Sequence, residues 1–127
     1  MPPKRNARWA LEKKARRRST GFPIATVAYY GPTDQFASKV TVGIVDEKDE
    51  VIALERWFAA EQDVRLDEDI CEQILTFIEQ YNVYRVGMAD RIIGCPHEEG
   101  VDYPEGETCP QCPFWKDRDR WTGELIN

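Results

Sequence analysis

Three cysteines and the single histidine of the chain lie within one short segment. One residue separates Cys95 from His97, and two residues separate Cys109 from Cys112. A two-residue gap allows two thiolates to turn toward one ion, and the prolines and glycines of the segment supply tight turns. The eleven residues between His97 and Cys109 are enough for a loop that returns the second pair to the first. The spacing predicts a tetrahedral Cys3His site for a structural zinc ion.

The second pair, within the sequence CPQC, resembles the knuckle of zinc-ribbon and related small zinc modules. The resemblance covers residues 95–112 and describes a kind of site, not a family. The first pair differs from a usual knuckle in its shorter gap, so Cys71 is an alternative to His97 as the fourth ligand. Its place on the apolar stripe of a predicted helix favours a buried structural cysteine. A disulfide, unrelated free thiols and a redox CxxC pair are the alternatives to zinc.

Residues 97–99 and 109–112 also resemble the H-x-E and C-x-x-C halves of the zinc deaminases, in which Glu99 would transfer protons. Only nine residues separate the two halves here, too few for the helix and strand of that family. Moreover, Cys95 would occupy the position that a catalytic zinc leaves open for water. We therefore expect no catalytic residue at this site.

The segments before the cysteines predict three strands, one helix and a fourth strand. Residues 24–30, 40–44, 51–58 and 84–93 have the alternating or β-branched patterns of strands, with a polar hairpin turn at 46–50. Residues 70–81 place apolar side chains at helical spacing. Asp67, or Asp69 with Glu72, can cap this helix, and Asn82 is expected to end it.

This β-β-β-α-β order resembles the opening of the ribonuclease H fold. Its chemistry implies carboxylates on the first strand, on the first helix and at the end of the fourth strand, which hold two divalent ions. Glu72 and Asp90 lie near two of these places, but the first strand, IATVAYY, has no acid. The likeness therefore indicates a fold, and a divalent-metal nuclease is the less favoured alternative.

The predicted fold class is α+β. It consists of a three-stranded antiparallel meander, one amphipathic helix, a fourth strand and a C-terminal zinc-knuckle loop. Residues 1–22 form a basic arm that is disordered or helical, and residues 23–127 form a single domain with the zinc-binding segment 95–112. With 127 residues, of which 42% are hydrophobic, the chain can bury a core without disulfides. Trp57, Trp115 and Trp121 are expected to pack in or near that core.

The net charge of −6 conceals two opposed parts. Residues 1–18 contain eight Lys or Arg and one acid, Glu12, for a net charge of +7, so the remainder carries −13. A segment with this charge can neutralise phosphates and release their counterions. The residues predicted to bind nucleic acid are Lys4, Arg5, Arg8, Lys13, Lys14, Arg16, Arg17 and Arg18. Trp9 could add stacking or anchoring.

The leading hypothesis is a zinc-binding, non-enzymatic module that associates with RNA, DNA or a ribonucleoprotein through the basic arm. A protein–protein adaptor with an acidic body is the main alternative, and the arm would then bind an acidic partner. An enzyme centred on Asp90, Glu98 or Glu99 is a third. The N-terminal residues lack a secretory signal, and no apolar run approaches the ~20 residues of a membrane span, so a cytoplasmic location without membrane association is expected.

Overall fold

The structure, a computed structural model, describes residues 7, 10, 11, 21–83, 85–116 and 118. It contains strands β1 (Ile24–Tyr30), β2 (Lys39–Val45) and β3 (Val51–Phe58), helix α1 (Glu68–Glu79), strand β4 (Arg85–Ile92) and a short 3-10 helix (Pro113–Trp115). The sheet order is β3-β2-β1-β4. β1 pairs antiparallel with β2 and parallel with β4, and β2 pairs antiparallel with β3. This confirms the predicted α+β class and the β-β-β-α-β order.

One face of the sheet packs against the main core. Along β1, Ala25, Val27 and Tyr29 are buried, as period-two alternation requires, and their partners on β2 belong to the same core. Helix α1 adds its stripe of apolar side chains to that core. Trp57 on β3 packs edge-on against Phe77 of the helix, as expected for a tryptophan used in packing.

Helix α1 begins at the predicted cap. The Asp67 carboxylate accepts a hydrogen bond from the amide of Ile70, so the first of the two capping alternatives is the one formed. The helix ends at Glu79, earlier than Asn82. The chain tightens there, because the Tyr81 amide bonds to the Ile78 carbonyl three residues back, and Asn82 has a left-handed backbone with φ 50°.

Within residues 1–20 of the arm, three are described: Ala7, Ala10 and Leu11, all helical. Ala7 and Leu11 are fully buried in the main core, and the Ala7 amide donates to the Glu68 carboxylate at the start of α1. These two positions follow helical spacing, so one side of the segment belongs to the core. The eight basic residues of the arm, and Trp9, lie outside the described residues.

Among the described residues, no helix combines the length and the apolar character needed to cross a membrane.

An almost fully buried carboxylate joins the two loops on either side of the β2–β3 hairpin. The Asp63 carboxylate accepts hydrogen bonds from the amides of Ala37 and Arg65 and pairs with the Arg65 guanidinium at 2.7 Å. Burial alone would raise the pKa of Asp63, but the hydrogen bonds from Arg65 and Ala37 outweigh it and hold this pKa below its usual value.

We predict that Asp63→Asn destabilises the protein by about 1.5–3 kcal/mol at pH 7, because it weakens bonds to a charged group. A carboxylate with a lowered folded pKa stabilises the fold above its unfolded pKa of about 3.9, and that stabilisation disappears as the pH falls through the folded value. The difference in the free energy of unfolding between Asp63→Asn and the unmodified protein should therefore shrink below about pH 4. Urea unfolding at pH 7 and pH 3 tests this, with exposed Asp34→Asn as the control. An equal difference at both pH values would contradict it.

Candidate metal centre

The segment after β4 gathers four metal-ligating side chains. The Sγ atoms of Cys95, Cys109 and Cys112 and one nitrogen of His97 all lie within 4.8 Å of one another. The His97 Nδ1 atom is 3.2 Å from the Cys95 sulfur and 3.5 Å from each of the other two. The structure thus brings together the four residues predicted as ligands.

These distances suit a tetrahedral site. Zinc bonds of about 2.3 Å to sulfur and about 2.0–2.1 Å to nitrogen, at tetrahedral angles, place ligand nitrogen and sulfur about 3.6 Å apart. The observed spacings of 3.2 and 3.5 Å lie just below that value. The four ligand atoms are therefore close enough together to hold one metal ion.

Local turns place each ligand. The His97 amide donates to the Cys95 sulfur at 3.3 Å, so the chain turns tightly at Pro96 and both ligands face the same point despite their short spacing. At the second pair, the Cys112 amide donates to the Cys109 carbonyl, and the 3-10 helix begins directly afterwards. Cys109 and Cys112 are buried.

The loop between the two pairs is held by its own hydrogen bonds. The Glu98 amide donates to the Asp102 carboxylate at 2.7 Å, and the Gly106 amide donates to Glu99 at 2.8 Å. Gly100 and Gly106 have φ of 84° and 85°, which side chains rarely adopt. This compact loop returns the chain to the first pair of ligands.

Burial raises the pKa values of two thiols of this group, Cys95 and Cys112, and neighbouring thiols add to the effect. Burial raises the pKa of the Cys95 thiol, and the nearby thiols of Cys112 and Cys109 raise it further. Burial likewise raises the pKa of Cys112. Three thiolates this close together repel one another, and a bound cation supplies the positive charge that favours their deprotonated form.

The segment is fixed to the sheet at three points. The Trp115 indole donates to the Gly31 carbonyl at 2.8 Å, which attaches the 3-10 helix to the end of β1. The Lys39 ammonium donates to the Pro96 carbonyl at 2.9 Å, and the Arg56 guanidinium donates to the Glu98 carboxylate at 2.7 Å. The residue that follows β1, together with residues of β2 and β3, therefore attaches segment 95–112 and the 3-10 helix after it to the sheet.

Sequence reasoning did not identify Lys39, Arg56 or Gly31. Lys39 and Arg56 lie near the same end of the β2–β3 pairing, opposite Phe58 and Thr41, and look like ordinary surface charges in a strand pattern. Their roles depend on contacts with residues more than 40 positions later in the chain, which local pattern cannot show.

The other predicted residues lie elsewhere or are not described. Cys71 is buried on α1 among the core residues and does not belong to the Cys/His group. Glu72 is exposed on α1. Trp121 and the side chain of Asp90 lie outside the described part of the chain.

Comparisons of the chain with models of protein families, with curated proteins and with solved structures find no match.

Proposed function

We propose that the chain is a small zinc-binding module in which the ion has a structural role. The observation that carries this proposal is the convergence of three thiols and one imidazole within 4.8 Å. Soft thiolate ligands combined with imidazole in a tetrahedral arrangement favour zinc over magnesium, calcium or manganese, which prefer oxygen. An ion at this position joins the two halves of segment 95–112 to each other.

A structural role agrees with the number of ligands. Four protein ligands fill a tetrahedron and leave no position for the water that a catalytic zinc activates. Glu99, which a deaminase would use for proton transfer, accepts a hydrogen bond from the Gly106 amide within its own loop. Glu98 pairs with Arg56 and Lys39. Both carboxylates therefore have structural partners.

The proposal extends to nucleic acid as the partner of the basic arm. Two observations support this: residues 1–18 of the arm carry a net charge of +7, and the burial of Ala7 and Leu11 attaches the arm to the domain. A cluster of this charge binds phosphates with little sequence preference and with steep salt dependence. The acidic remainder of the chain directs such binding to the arm.

Replacing the eight basic arm residues by Gln should abolish this binding. Substitution is preferable to deletion, because deletion would also remove the buried Ala7 and Leu11. We expect the unmodified protein to lose on the order of 10³- to 10⁵-fold in affinity for RNA or DNA between 50 and 200 mM salt if most of the eight contacts form, as measured by fluorescence anisotropy. The control is Lys48→Gln, in the exposed hairpin turn. If the Gln variant binds RNA or DNA as tightly as the unmodified protein, or if binding does not depend on salt, the proposal is contradicted.

A protein adaptor is the second candidate, favoured by the outer edge of the sheet. β3 is the last strand of the sheet order and exposes Val51, Ile52, Leu54 and Phe58, the last at 65%. An apolar edge strand can pair with an extended segment of another protein. In a pull-down, a partner protein that stays bound after nuclease treatment but is no longer captured by the Leu54→Lys variant would support this role over nucleic-acid binding.

A further inference from the structure

Lys39 is a buried lysine beside the metal-ligating segment. Its side chain is 6% exposed, although it carries a charge that burial disfavours. The ammonium donates to the Pro96 carbonyl at 2.9 Å and lies 3.5 Å from the Glu98 carboxylate. The rings of Tyr30 and Phe58 lie 5.4 and 5.6 Å from it. These contacts hold the charge in one place.

The Lys39 ammonium lies beside two of the proposed metal ligands, Cys95 and His97. Pro96 is the residue between Cys95 and His97, so the ammonium is bonded to the turn that carries two of the four ligands. Lys39, Cys95 and His97 also line one cleft of about 320 Å³. The ammonium therefore lies beside the turn that joins two of the ligands, where its charge can act on them.

The zinc-loaded site and the cluster of Lys39, Arg56 and Glu98 carry opposite net charges of equal size. A zinc ion with three thiolates and a neutral imidazole carries a net charge of −1. Lys39 and Arg56 share the single carboxylate of Glu98, so this cluster carries a net charge of +1. Water screens a buried cation less than an exposed one, so the buried Lys39 ammonium attracts a negatively charged centre more strongly than an exposed lysine would.

We propose that Lys39 is the charge-compensating residue of the metal centre, and that its ammonium also positions the turn between Cys95 and His97. This inference rests on the proposed zinc site. Arg56 contributes less to the compensation, because its side chain is 41% exposed and water screens its charge.

The test is the zinc affinity of the full chain, measured by competition with a chromogenic chelator. Lys39→Gln keeps a donor for the Pro96 carbonyl but removes the charge, and we expect it to weaken zinc binding at least about tenfold. Lys39→Arg keeps the charge and should bind within about threefold of the unmodified protein. Lys48→Gln, which removes the same charge from the exposed hairpin turn, should have no effect. Arg56→Gln should weaken binding by about threefold.

A spectroscopic measurement separates charge compensation from positioning alone. With cobalt(II) bound at saturation, loss of a nearby cation raises the energy of the thiolate electrons, so the sulfur-to-cobalt charge-transfer band of Lys39→Gln should move to longer wavelength. The band of Lys39→Arg should stay in place. A residue that only positions the turn would leave the band unchanged.

Unchanged zinc affinity in Lys39→Gln, or equal losses in the Gln and Arg variants, would overturn the inference while leaving the zinc site intact. If Lys39→Gln does not fold, Lys39→Met decides, because it keeps a side chain of similar length between the rings of Tyr30 and Phe58 but removes the charge. Unchanged zinc affinity with an unshifted cobalt band in Lys39→Met would overturn the inference. Failure of the unmodified protein to bind zinc would instead overturn the proposed function.

Discussion

The Cys109→Ser variant is expected to bind zinc about 10²- to 10³-fold more weakly than the unmodified protein. The four ligands of a structural zinc site together contribute on the order of 10–16 kcal/mol of apparent binding free energy at pH 7, so one ligand corresponds to about 3–4 kcal/mol. Cys109 is buried, and its sulfur lies 3.5 Å from the Nδ1 atom of His97. A serine hydroxyl is a poor substitute for a thiolate toward zinc. Competition with a chelator measures the affinity.

The control for this substitution is Cys71→Ala. Cys71 is as buried as Cys109 but lies on α1, outside the Cys/His group. Its replacement should leave the zinc stoichiometry unchanged and lower the free energy of unfolding by about 1 kcal/mol, as expected for a small cavity in the core. Zinc affinity that falls in Cys71→Ala but not in Cys109→Ser would contradict the assignment of the ligands.

The Gly31→Ala variant should lose about 3 kcal/mol of stability. A Cβ atom added at Gly31 would lie 1.8 Å from the carbonyl oxygen of Phe36, so the backbone itself must move. The Gly31 amide donates a hydrogen bond to the Gly94 carbonyl, and the Gly31 carbonyl accepts one from the Trp115 indole. Movement of this backbone weakens the attachment of the metal-ligating segment to β1. Urea unfolding of the zinc-loaded protein measures the loss.

Gly94→Ala provides the matched comparison, because it lies at the other end of the same backbone hydrogen bond. A Cβ there would be 3.8 Å from the nearest atom of the Tyr30 ring, which is ordinary van der Waals contact. We expect the free energy of unfolding of Gly94→Ala to stay within about 1 kcal/mol of that of the unmodified protein. Equal losses in the two alanine variants would show that the close approach to Phe36 does not explain the need for glycine.

The strands, the helix and the ligand group follow from local patterns in the sequence. The predicted first and third strands, 24–30 and 51–58, agree with β1 and β3 residue for residue, because their β-branched and aromatic runs are bounded by Gly, Pro or polar turns. Asp67 was one of two predicted caps and is the one that forms. The convergence of Cys95, His97, Cys109 and Cys112 was predictable because cysteine and histidine at short spacings in one loop are typical of a metal site.

The contacts that position the ligands were not predictable from pattern. Gly31 precedes Pro32 and is typical of any turn, and only the three-dimensional approach of Phe36 shows why glycine is needed. Lys39 begins a strand on the face opposite the main core, where a charged residue is expected to meet solvent. It is buried because segment 95–112 covers it, and that docking depends on long-range contacts.

The most direct test of the account is the metal content of the natively purified protein, measured by elemental mass spectrometry without added zinc. We expect one zinc per chain, retained in Cys71→Ala and lost in Cys109→Ser. A protein that contains no zinc, cannot be loaded with it, and has Cys95, Cys109 and Cys112 oxidised or freely reactive would contradict the central claim.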